Sequence, residues 1–211
     1  MSQNIKKKSI SADKIGSTPM LRLILSMSLP TMFSMIIQAM YNIVDSVFVS
    51  SLGQDALTAL SLAYPLQLMT ISVAVGTGVG INSFISRRLG EKNQELANNG
   101  AANGIFISII SWLVFLLVGI FLTVPFFKLF NPTPGVMKYG VDYTSIILIF
   151  SVGVMVEIAI EKVLQATGNM IFPMIFQLIG AVANIVLDPL FIFGIGPFPR
   201  MEVAGAAIAT V

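Results

Sequence analysis

LILSMSLPTMFSMIIQAMYNIVDSVFVSSL, residues 23–52, holds no Lys or Arg and a single acid, Asp45. A helix that crosses the hydrocarbon core of a bilayer needs about 20 apolar residues. The stretch is long enough, and it reads as a transmembrane helix. Asp45 breaks the pattern, because an ionised Asp near the bilayer centre costs about 2.5–3.5 kcal/mol on insertion scales. Such a residue is a candidate functional group.

Working outward, further apolar runs occupy residues 57–84, 98–124, 141–164 and 170–194. A sixth begins at Val203 and reaches Val211. Nine helical residues cover about 14 Å of a core about 30 Å thick, so the chain is expected to end inside helix six. No alternating ten-residue segments occur, and lipid accepts only helices or closed barrels. The expected fold is an all-α integral membrane bundle of five complete spans and a truncated sixth. The whole chain agrees: it is 55% hydrophobic and 10% charged, with a mean hydropathy of +0.88, whereas soluble domains carry about 25% charged residues.

The 211 residues include no Cys and no His. That removes disulfides, thiolate nucleophiles, Cys- or His-type metal centres and the commonest general base. A net charge of +2 gives no reason to expect nucleic acid as a partner. Residues 1–20 hold Lys6, Lys7, Lys8 and Lys14 among polar residues, and no small-residue cleavage site follows in the apolar run. They are expected to form a cytoplasmic tail rather than a signal peptide. With the N-terminus inside, Lys6, Lys7, Lys8, Lys14, Arg22, Arg87, Arg88, Lys92 and Lys162 fall on the cytoplasmic side, and Lys128, Lys138 and Arg200 outside. Nine against three follows the positive-inside rule. Asn131–Gly135 and Gly194–Pro199 carry turn residues and read as outer loops.

A second intramembrane acid, Asp188, stands in AVANIVLDPLFIFG, residues 181–194. Helices one and five both run outward in this topology, and the two acids fall at similar depth in the outer half of the bilayer. Gln38 and Tyr41 precede Asp45 by seven and four residues, which puts all three on one side of their helix. Asn184 precedes Asp188 by four. Pro189 has no N–H to give the Ile185 carbonyl. Thr210 lies in the sixth run. Buried polar residues also serve as plain helix–helix glue, worth about 0.6 kcal/mol each in one system. Two acids at one depth without Lys or Arg beside them point further, to a proton, a metal cation or a cationic substrate.

Other features read structurally. Gly76, Gly78 and Gly80 lie inside an apolar span, with no strand before them, and suit close helix packing better than a nucleotide loop. Pro30 and Pro65 are expected to kink their helices. Glu157 and Glu161, one turn apart, are expected to pair with Lys162 or loop arginines. Asn42-Ile43-Val44-Asp45 and Asn184-Ile185-Val186-Leu187-Asp188 echo each other, but the spacing differs by one, so no repeat is inferred.

LPTMFSMIIQAMYNIVDSVFVSSLGQDALTALSLAYP (29–65), ISRRLGEKN (85–93), LQATGNMIFPMIFQLIGAVANIVLDPLFIFG (164–194) and VAGAAIAT (203–210) together resemble the MATE (multidrug and toxic compound extrusion) transporters. The resemblance implies twelve helices in two six-helix lobes around a central cavity. Residues 21–211 would be the amino-terminal lobe, with the carboxy-terminal lobe as its missing partner. It implies a multi-pass protein of the plasma (inner) membrane that exchanges Na⁺ or H⁺ for organic cations, with no cofactor beyond the coupling ion. By position, Asp45, Asn184, Asp188 and Thr210 would bind that ion, Na⁺ if Na⁺ couples, and Gln38 and Tyr41 would face the drug cavity. Glu161 stands where many relatives have an amide. The runner-up is a related lipid or polysaccharide flippase, which needs internal cationic groups for anionic headgroups. An intramembrane aspartyl protease also uses two Asp on neighbouring helices, but its Tyr-Asp and Gly-x-Gly-Asp motifs are absent: Val44 and Leu187 precede the acids. No enzymatic activity is expected.

Overall fold

The computed structural model describes residues 19–211. The tail expected over residues 1–20, with Lys6, Lys7, Lys8 and Lys14, lies outside the described residues as far as residue 18. Eight helices are described: α1 Met20–Ser50, α2 Gln54–Gly90, α3 Gln94–Phe121, α4 Thr123–Lys128, α5 Pro134–Ile149, α6 Val152–Ala166, α7 Ile171–Phe193 and α8 Val203–Thr210. Among the described residues there is no strand. Four helices, α1, α2, α3 and α7, are long and apolar enough to cross a membrane, and α5 with α6 makes a fifth span bent by 44°. The all-α bundle of five spans and a short sixth helix is the fold that hydropathy predicts.

α1 and α2 stay helical through Pro30 and Pro65. One expectation needs correction: the run expected to be continuous over 141–164 is broken at Phe150–Ser151. Ser151 donates its hydroxyl back to the Leu148 carbonyl at 2.8 Å, and Gly153 follows. A Ser and Gly so placed are a recognised cause of helix kinks. A broken span leaves carbonyls without helical partners where lipid offers none. Trp112 of α3 answers for one of them, donating its indole N–H to the Ile149 carbonyl at 2.8 Å.

The connections are fixed by their own residues. Asn93 caps α3 by accepting from the Leu96 N–H at 3.1 Å. Thr133 caps α5, with Pro134 in the first helical turn, as an N-cap Thr followed by Pro should. Gly194 ends α7 in the left-handed region at φ 70°. The chain then folds back, and the Met201 and Glu202 N–H groups donate to the Phe191 and Ile192 carbonyls at 2.9 and 3.2 Å. The orphan carbonyls of the α7 terminus are thus satisfied by the strap that leads into α8.

α2 is the central helix and packs on α3, α5 and α6, while α7 lies along α1 and carries α8, which also packs on α5. Val49, Ala56, Phe127, Tyr143, Ile192 and Val203 form the core at the Gly53 end. Ile81, Ile85, Ala97, Ala159 and Ala166 form the core at the Arg88 end. Small residues allow the close approaches. A methyl group on Gly104 would stand 2.7 Å from the Ile81 side chain. Of the three glycines expected to serve packing, only Gly78 is crowded: a Cβ there would meet the Lys162 Cγ at 2.7 Å, while Gly76 and Gly80 face open space.

Lys162 sits in the last turns of α6, its stem across Gly78 and its ammonium on Glu161 at 3.2 Å.

Candidate functional site

α1 and α7 pack along each other, so Asp45 and Asp188 share more than depth. Their carboxylates lie within range of each other's charge. Asp188 is fully buried and Asn184 nearly so, at 5% exposed. The Asn184 amide N–H group approaches the Asp188 carboxylate at 3.5 Å. Asp45 Oδ1, Asp188 Oδ2 and Asn184 Oδ1 are all buried without a hydrogen-bond partner. The ion pairs among the described residues are Arg88–Glu91, Glu161–Lys162 and Arg200–Glu202, and none touches either Asp. Buried acceptors are rarely left unpaired, and a buried charge without a partner is costly. Three such oxygens around one helix pair form a donor set for a proton or a hard monovalent cation. Among the described residues, no three acids, Cys or His gather to form a richer metal site.

In front of this pair lies a cavity of about 570 Å³. Gln38 and Tyr41 of α1, Asn184 of α7 and Thr210 of α8 line it. All six sequence-predicted residues are therefore drawn to one region, with Asn184 as the link: it borders the cavity and holds Asp188. Thr210 donates its hydroxyl to the Ala206 carbonyl at 2.9 Å, which leaves its oxygen lone pairs as the available donor. Asn42 does not mirror Asn184. It is exposed and donates to the Gln38 carbonyl at 2.9 Å, as expected of two Asn/Asp stretches that are no repeat.

Several residues here were not singled out as site residues from the sequence. Tyr143 of α5 is 3% exposed, and Asp45, Asp188 and Tyr41 all act electrostatically on its hydroxyl. Gln177 of α7 lines the cavity, donates its amide to Glu161 at 3.1 Å and keeps its own Oε1 buried and unpartnered. Glu157 and Glu161 of α6 also line it. The expected pairing with Lys162 holds for Glu161. Glu157 takes part in none of the ion pairs among the described residues. A sequence signal for Gln177 existed, since an amide in an apolar helix is as conspicuous there as Asn184 two turns later. Nothing in the sequence says which way Tyr143 turns.

A sequence model of the family described as MatE matches residues 30–190. The FAD transporter of Shewanella oneidensis is 31% identical over 195 residues, covering 92% of this chain and 43% of the relative. The probable multidrug resistance protein YoeA of Bacillus subtilis is 28% identical, over 88% of this chain and 41% of its own. Among solved structures, the MATE multidrug transporter DinF-BH superposes with a TM-score of 0.85 at 34% identity, over 92% of this chain and 43% of that one. A MOP superfamily transporter from Pyrococcus furiosus, whose structure was reported as having a binding pocket of reverse polarity, superposes with a TM-score of 0.87 at 28% identity, over 93% of this chain and 43% of that one. The chain thus spans less than half the length of the relatives it matches.

Proposed function

The chain belongs to the MatE family, and from that premise we propose that residues 21–211 are the amino-terminal lobe of a cation-coupled exporter of organic cations. The orphaned oxygens of Asp45, Asp188 and Asn184 carry this reading. The lobe works with a second, carboxy-terminal lobe across the cavity, in a plasma (inner) membrane, with the N-terminus on the cytoplasmic side. Nine basic residues against three support that orientation.

Asp45 and Asp188 take the coupling ion, Na⁺ or H⁺. For Na⁺, the Asn184 amide oxygen and the Thr210 hydroxyl oxygen add neutral ligands, and the Ile185 carbonyl left free by Pro189 is within the same stretch of helix. A bound cation or proton relieves the repulsion between the two acids. The α1–α7 pair then tolerates a packing that it resists when empty, and a two-state transporter is biased accordingly. Ion and drug are exchanged because each favours a different state. Gln38 and Tyr41 present the drug-facing wall.

The cavity supports a cationic substrate. Its lining includes Glu157 and Glu161 and, among the described residues, no Lys or Arg. Such a wall suits an organic cation and disfavours the anionic headgroup of a flippase substrate. It also disfavours a flavin dinucleotide.

The neutral ligands separate the two coupling ions. In the two-lobe protein, Asn184→Ala and Thr210→Ala are each expected to weaken Na⁺ binding about tenfold, the ~1.4 kcal/mol of one charge-assisted contact. Efflux driven by a pH gradient should change by less than about threefold, because a proton needs the carboxylates alone. Direct radiolabelled Na⁺ binding and ethidium efflux read the two effects. Na⁺ binding unchanged in both variants would remove Asn184 and Thr210 from the site.

A further inference from the structure

The two cavity glutamates of α6 are one turn apart, and they are not equivalent. Glu161 is fully engaged: it accepts from Lys162 at 3.2 Å, from Gln177 at 3.1 Å and from Gln165. Lys162 cancels its charge and is itself held by the Gln165 side-chain oxygen at 3.1 Å and, through its own carbonyl, by the Asn82 amide at 3.0 Å. Glu157 lines the cavity and takes part in none of the ion pairs among the described residues. Gln177, which lines the same cavity, presents a buried Oε1 without a partner. Asn184, also in the lining, is 5% exposed and its Oδ1 is likewise unsatisfied.

We propose that Glu157 is the residue that selects substrate charge: a second cation-binding place, separate from Asp45 and Asp188, that takes the positive group of a monovalent organic cation. This rests on the exporter reading above. The geometry of the α6–α7 contact makes the assignment. The Gln177 amide has its nitrogen committed to Glu161, so its oxygen is fixed as an acceptor. A ligand that satisfies that oxygen must bring a donor or a positive charge. The Lys162–Glu161 pair leaves one uncompensated negative charge on this wall. A substrate with one positive charge neutralises it, a neutral molecule leaves Glu157 desolvated and unpaired, and an anion is repelled. Ion coupling at the α1–α7 pair and substrate recognition at α6 then occupy different residues of one cavity, so both can be filled or vacated in turn.

Glu157→Gln keeps shape and removes the charge. The expected result, on the two-lobe protein in detergent, is an ethidium affinity lower by about tenfold. Glu157→Asp should retain affinity to within about threefold, as the charge survives. Trimethylphenylammonium should compete with ethidium in the parent and lose most of its potency in Glu157→Gln. Its uncharged isostere tert-butylbenzene should compete equally weakly in both. The unfolding temperature in detergent and the binding of Na⁺ or protons at Asp45 and Asp188 should match the parent in both variants, which also shows that they are folded. Unchanged ethidium affinity in Glu157→Gln would overturn the assignment while leaving the exporter reading intact. A parent protein that binds neither ethidium nor trimethylphenylammonium would overturn both.

Discussion

Asp188→Asn is expected to lower ion-coupled efflux by about a hundredfold or more, the scale set by removing one member of a desolvated charged set. The same change should not harm the protein. Asp188 is fully buried, has no ion-pair partner among the described residues, and one of its oxygens has no hydrogen bond there. An amide of the same shape removes the cost of a lone buried charge, so expression and thermal stability should hold or rise. Asp45→Asn should behave alike, abolishing resistance to ethidium while leaving membrane expression intact. Loss of activity together with a gain in stability marks a residue kept for function. Normal efflux in either variant would refute the role given to that acid, and misfolding would show that the carboxylate is structural.

Gly205→Val has the opposite signature. A Cβ at Gly205 would stand 2.6 Å from the carbonyl carbon of Phe191, 2.7 Å from its oxygen and 2.9 Å from the Ile192 nitrogen. These are backbone atoms and no rotamer relieves the clash. The expected cost is on the order of 3 kcal/mol or more, at the upper end for overpacking, seen as a fall in the unfolding temperature of the purified protein. α8 must move away from α7, and Thr210 leaves the cavity with it, so Na⁺ affinity should fall in parallel. Gly80→Ala is the control. Gly80 faces open space within α2, and alanine there should be neutral or stabilise by about 0.5–1 kcal/mol. Equal stability of Gly205→Val and the parent would mean that α8 does not dock on α7 in this way.

The spans were legible because hydropathy reports a one-dimensional property, the length of chain that lipid accepts. Asp45 and Asp188 were legible for the same reason: each is an acid where its neighbours allow none. Their common depth could be counted from Leu52 and Gly194, but whether their helices touch is a matter of packing between residues far apart in the chain. The break at Phe150–Ser151 shows the limit of local rules: Ser151 and Gly153 permit it, and Trp112 of another helix supplies the donor that the Ile149 carbonyl needs. The contacts of Lys162 were likewise beyond the sequence: its long side chain crosses Gly78 of another helix and is held by Glu161. Tyr143 was invisible for a related reason: an aromatic in an apolar helix faces lipid, core or site according to a rotation that only the neighbours set.

Whether the acid pair couples an ion to drug movement is decided most directly by ethidium efflux from liposomes holding the two-lobe protein. Efflux is measured first under a pure Na⁺ gradient and then under a pure pH gradient, with Asp45→Asn alongside. The expected result is efflux from the parent under each gradient, and none under either in the variant. Failure of both gradients to drive efflux from the parent, or full efflux from Asp45→Asn, would contradict the coupling role of the pair.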